Sequence, residues 1–205
     1  MIPFCEWLET RYSGGGPTHD DHFETRATYA EYVVLTWERP TEFLTTRFTL
    51  DQIGEVMMRE RHVYGSAQLP RELRNRAWRA LSPLCGELFA PNVSDSLSHR
   101  NESAKGTARL DGACYMWWDV SPFYPGNRSM TPVDSAFFVS ICRECLASPK
   151  AAIQESAIHG LGHAVGISEP LIEARTALDD YIREANFARP ELLQYAKRAR
   201  KGRVQ

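Results

Sequence analysis

The sequence has little of what would mark a membrane, secreted or nucleotide-binding protein. No stretch approaches the roughly 18 uninterrupted apolar residues of a membrane span, so no membrane is expected. Neither charge dominates: 24 Lys and Arg stand against 26 Asp and Glu, for a net charge of -2. That balance gives no global reason to expect nucleic acid or an anionic bilayer as a partner. Met1-Ile2-Pro3-Phe4-Cys5-Glu6 carries no basic segment leading into an apolar run, so no secretory signal is read. The five cysteines (Cys5, Cys85, Cys114, Cys142, Cys145) are few and odd in number. Without a signal they read as reduced thiols of a cytoplasmic protein. The N-x-S sequons at Asn92, Asn101 and Asn127 are then coincidental. There is no Gly-rich phosphate loop, no G-x-S-x-G elbow and no His-Glu-x-x-His helix. No alternation of apolar and polar residues marks a multi-stranded sheet.

What is present is ordinary globular composition. The 205 residues are 43% hydrophobic and 24% charged, enough for one domain with a sizeable core. The first thirty residues are poorly patterned and read as an irregular segment, with residues 31–205 as a single α-helical domain. Gly14-Gly15-Gly16-Pro17 punctuates that segment ahead of His19-Asp20-Asp21-His22, a run of metal-compatible types that reads as a solvated loop. Tyr32 to Trp37 is β-branched and aromatic, yet a lone strand has nothing to pair with, so it is read as helix. Thr49 is placed as an N-cap with Gln52 in the capping-box position. Helices are expected from Pro70 through Leu81, from about 108 to 118, and at about 133–147, 150–165, 169–186 and 190–201. Pro132, Pro149, Pro170 and Pro190 sit near helix starts, and Gly166 and Gly202 near helix ends. A polar loop is expected over about 92–105. The fold class is all-α, an irregular helical bundle.

One segment carries chemical information. Cys142-x2-Cys145 followed by His159-x3-His163 has the spacing of a tetrahedral zinc site. Against this, Phe137, Phe138, Ile141, Cys142, Cys145 and Leu146 form a continuous apolar stripe, and free cysteine packs as a small hydrophobe. Both readings stand at this stage, with the core reading favoured. On the next helix Glu155, His159 and His163 are each four residues apart and share one face, opposite Ile153, Ile158, Leu161 and Val165. Two imidazoles and a carboxylate at that spacing suit a metal, a hydrogen-bonded cluster or a partner's charge. Gly160 and Gly162 cost about 1 kcal/mol each in a helix interior, so close approach by a neighbour is expected to offset them.

The run from Leu146 to Gly162, with a Pro-bearing turn followed by Ala157, Leu161 and a glycine at 160 or 162, resembles the turn and second helix of a HEAT-like repeat of the PBS-lyase type. The resemblance covers one helix pair, about residues 133–166. It implies a short α-α superhelix working as a non-enzymatic protein-interaction module. Some HEAT-like enzymes instead carry iron on His-Glu pairs, and no adjacent His-Glu pair occurs here.

Two further stretches stand out. Tyr115-Met116-Trp117-Trp118-Asp119 begins an aromatic-rich run, and adjacent tryptophans point about 100° apart on a helix. One is expected in the core and the other at an interface. Asp119 at a helix end is expected to pair with an Arg or His elsewhere. The basic run from Lys197 to Arg203 suits a helix C-terminus. The first functional expectation is therefore capture of a protein partner through Trp117, Trp118, Glu155, His159 and His163, with no cofactor and no nucleic acid expected. The alternative is a zinc- or iron-dependent hydrolase, or a metal-binding protein, on His159, His163 and Glu155. There a third ligand from His99, Asp119 or a cysteine completes the centre, and Cys142 and Cys145 are outside candidates.

Overall fold

The computed structural model describes residues 3–15, 26–59, 69–102, 108–121, 123, 125, 130–184 and 189–204. Gly16, Pro17 and the His19-Asp20-Asp21-His22 run lie outside the described residues, as do residues 103–105 of the polar loop. Among the described residues the regular elements are helical and none is a strand, as the sequence led us to expect. No helix among them is long and apolar enough to cross a membrane.

The chain begins with α1 (Phe4–Thr10) and a π-helical turn (Arg11–Gly15), followed by α2 (Arg26–Glu38), α3 (Pro40–Phe43) and α4 (Leu50–Arg59). Within the stretch expected to be irregular, residues 4–15 are helical. Phe4, Trp7 and Leu8 share one helical face, Trp7 and Leu8 are buried, and Tyr12 follows them inside. Trp7 meets Tyr29 edge-on at 5.7 Å, and Phe4 meets Phe43 at 4.9 Å. Tyr32 to Trp37 lies within α2, helical as read from the sequence. Ahead of α4, the Thr49 amide donates to Gln52 Oε1 at 2.9 Å and the Gln52 amide donates to Thr49 Oγ1 at 3.2 Å, which is the expected capping box.

Next come α5 (Arg71–Pro83), a π-helical segment (Leu84–Phe89), the short α6 (Ala90–Asn92) and a single 3-10 turn (Ser98–Arg100). Pro83 in the last turn of α5 has no N–H to donate, and the π-helical segment follows directly. The aromatic stretch does not form one helix: α7 (Ala108–Tyr115) stops, and α8 (Trp117–Val120) restarts beyond Met116. Met116 has φ -84° and ψ 4°, outside the helical well. The change of direction buries both Trp117 and Trp118 at 1% exposure, where a continuous helix would have splayed them.

Four helices complete the chain: α9 (Pro132–Leu146), α10 (Ala151–Gly166), α11 (Ile172–Glu184) and α12 (Pro190–Ala199). Their punctuation follows the sequence. Thr131 and Asp134 close a capping box at the start of α9 with Pro132 in its first turn. Asp134 also accepts from Trp78 Nε1 at 2.6 Å and from Arg74 Nε at 2.8 Å, which ties α9 to α5. Cys142 and Cys145 lie in the core, and burial pushes the Cys142 thiol well up. Helix α10 packs against α7, α8, α9, α11 and α12, and thirteen of its sixteen residues are buried. A helix surrounded on all sides must satisfy its polar groups inside the protein.

Candidate metal centre

Burial of α10 changes the meaning of its polar stripe. Glu155 is 0% exposed and His159 3%, so neither offers a surface to a partner, and the two tryptophans are enclosed as well. Of the five side chains read as a capture surface, His163 alone retains partial exposure, 18% of its side chain. The stripe instead splits between two partners. Glu155 turns to the 3-10 turn and accepts from the Ser98 amide at 3.0 Å, the His99 amide at 2.8 Å and His99 Nδ1 at 2.6 Å. Glu155 is therefore committed to His99, and the sequence expectation that it joins the imidazoles is corrected. Glu102 stays apart, accepting from the Leu97 amide at 3.0 Å and from Arg189 at 2.9 Å.

His159 and His163 converge on Asp119. The break at Met116 aims α8 so that Asp119 Oδ2 lies 2.8 Å from His159 Nε2 and Oδ1 lies 2.8 Å from His163 Nε2. The two Nε2 atoms are 3.1 Å apart. Among the described residues this is the one group of three or more His, Cys, Asp or Glu side chains whose ligand atoms all lie within 4.8 Å. Cys142 and Cys145 take no part in it. Their spacing to the histidines reflects two neighbouring helices rather than a shared ligand set.

Outer contacts fix the cluster. The Tyr195 hydroxyl on α12 lies 2.7 Å from His159 Nδ1, 3.1 Å from the Tyr115 hydroxyl and 3.3 Å from the Val204 carbonyl, to which it donates. Tyr195 thus links His159 Nδ1, Tyr115 and Val204 through one hydroxyl. With Nδ1 engaged by Tyr195, His159 Nε2 faces a carboxylate oxygen and a second imidazole nitrogen. That position is one an N–H donor to Asp119 or a metal cation fills. Burial raises the Asp119 carboxyl, but the bonds from His159 and His163 outweigh it and hold the group well below the usual carboxylate range. Burial also pushes the Tyr195 hydroxyl well up, so it serves as a neutral hydrogen-bonding group.

The glycines of α10 make this closeness possible. A Cβ at Gly160 would fall 2.5 Å from Trp118 Cδ1, so the indole beside Asp119 lies directly on the helix backbone. At Gly162 the same atom would meet Val204 Cγ1 and Ala199. Side chains, rather than another helix backbone alone, supply the approach expected from the sequence.

Comparison with known proteins finds no matching family model, no matching curated protein and no matching solved structure.

Proposed function

We propose that this protein binds a single divalent transition-metal ion of the zinc or iron type on Asp119, His159 and His163. The observation that supports this reading is the triangle of two Nε2 atoms and a carboxylate, with edges of 2.8 to 3.1 Å. Ligands of a tetrahedral zinc ion, bonded at about 2.0–2.1 Å, stand roughly 3.3 Å apart, so a shift of a few tenths of an ångström admits the ion. Two imidazoles and one carboxylate suit zinc, iron and their neighbours in the first row. The Tyr195 contact at Nδ1 is the outer partner that a metal-bound imidazole ordinarily has.

Three protein ligands would leave one coordination position of a bound ion open, and the chemistry the ion would supply there is activation of a water near neutral pH. Hydrolysis is the chemistry such a centre supports, with access from the side of His163, the most exposed of the three. Glu155 supplies neither a ligand nor a base in this arrangement. The HEAT-like pair at 133–166 enters the proposal as the frame that carries the two histidines. Capture of a protein partner would need surface other than the two tryptophans, Glu155 and His159.

Elemental analysis of protein purified without added metal tests the reading. We expect about one ion per chain, lost in His163→Ala. Substoichiometric content for every element, with an unchanged melting temperature in chelator, would overturn it.

A further inference from the structure

A second polar site lies on the far side of Tyr195. His99, Arg100, Glu191, Gln194, Lys197 and Arg198 line a groove of about 540 Å³ between the 3-10 turn and α12. Its floor is built from buried groups. The His99 side chain is 8% exposed, and its ring lies parallel to Tyr195 at 4.2 Å. Glu155 accepts from His99 Nδ1, so Nε2 is the polar atom His99 has left for a ligand. Among the described residues nothing else bonds to that nitrogen.

The walls carry more positive charge than they neutralise. Glu191 is engaged by Arg100 at 3.4 Å and by Arg189 at 3.7 Å. Arg198 lies over the Tyr195 ring at 5.4 Å, which holds a guanidinium in place without using its donors. Neither Lys197 nor Arg198 pairs with a carboxylate among the described residues. Arg100 is also shared with Glu102 at 3.7 Å, so Lys197 and Arg198 are the two lining cations without a carboxylate among the described residues, a charge close to the -1.5 to -2 of a phosphate monoester at about pH 7.

We propose that this groove binds the phosphate group of a phosphorylated small molecule. Arg198 and Lys197 provide charge-assisted donors to the phosphate, and His99 Nε2, a lone pair once Nδ1–H is given to Glu155, accepts from a hydroxyl of the organic part. The volume lies in the range of sites for small organic molecules, about 300–1,000 Å³, and exceeds what inorganic phosphate fills. The proposal is independent of the metal centre. It gives the basic run on α12 and the buried Glu155–His99 pair a common purpose.

Calorimetric titration with a sugar monophosphate, the parent sugar, inorganic phosphate and a short oligouridylate tests it. The sugar monophosphate should bind saturably at one per chain and the parent sugar should not. Lys197→Ala combined with Arg198→Ala should weaken binding by about tenfold or more, with metal content and melting temperature unchanged. That control separates loss of this site from loss of the metal centre. No saturable binding of the sugar monophosphate, equal affinity for the parent sugar, or no effect of the double substitution would overturn the proposal. Inorganic phosphate binding as tightly as the sugar phosphate would overturn the organic part of the ligand. An oligouridylate binding more tightly than the sugar phosphate would overturn it in favour of RNA.

Discussion

His159 and His163 stand one helical turn apart with their Nε2 atoms 3.1 Å from each other, and Asp119 bridges both. The two rings are not equivalent. His159 is fixed at both nitrogens inside the protein, whereas His163 lies at the edge. Either His→Ala substitution should abolish stoichiometric metal, but the costs in stability should differ. His159→Ala empties a buried site and removes one partner each from Asp119 and Tyr195, and should cost about 3–5 kcal/mol. His163→Ala should cost about 1 kcal/mol. Urea unfolding of both variants, beside their metal content, checks this, and equal losses of stability would contradict it.

The Tyr195 hydroxyl touches no proposed ligand atom, yet it holds His159 at Nδ1, 2.7 Å away. Tyr195→Phe removes that contact and keeps the ring that stacks on His99. Metal affinity should fall by about 10- to 100-fold, measured by competition with a chelating indicator. An unchanged affinity would show that His159 is oriented by packing alone.

Asp134 accepts from Thr131, Trp78 and Arg74 at the junction of α5 and α9. Burial raises its carboxyl, but these bonds outweigh the burial and hold it below the usual range. A carboxyl with a folded pKa below its unfolded value, about 3.9, stabilises fully above that unfolded value. The contribution is lost as pH falls through the folded pKa, since the unfolded state binds more protons in that window. Asp134→Asn should therefore cost stability at pH 7 and narrow the difference between pH 7 and pH 3. Parallel urea curves at the two pH values decide it, and an undiminished pH difference would remove Asp134 from the acid response.

Cys142 and Cys145 should react slowly with a water-soluble thiol reagent in the native protein, because both sit in the core. Cys5, which is exposed, should react first. Chelator should leave these rates unchanged, since neither core cysteine contacts the metal cluster. A chelator-dependent burst of two thiols would place them in a metal site after all.

The helices α9 to α12 were legible in the sequence because each begins near a proline and the spacing of apolar residues is unbroken. The pairing of His159 with His163 was legible for the same reason, being a matter of one turn of helix. Periodicity gives the face on which a polar residue lies, not what stands opposite it, so the stripe on α10 could be read as a capture surface when it is enclosed. Asp119 stood among the options for a third ligand. What selects it is the break at Met116, which no glycine or proline announces. Tyr195 carried no signal beyond its place on the apolar face of α12. The helix at Phe4–Thr10 did carry one, the spacing of Phe4, Trp7 and Leu8, masked by the glycines and polar residues that follow.

The residues after α12 fold back onto the centre of the molecule. Val204 is buried, its side chain fills the notch left by Gly162, and its carbonyl takes the Tyr195 proton. The tail is thus a bolt rather than a fringe. Clipping the chain after the exposed Lys201 would withdraw the acceptor that orients Tyr195 and, through it, the imidazole of His159. A preparation with mixed tail lengths would then behave as two populations of different metal affinity, although every proposed ligand remained intact.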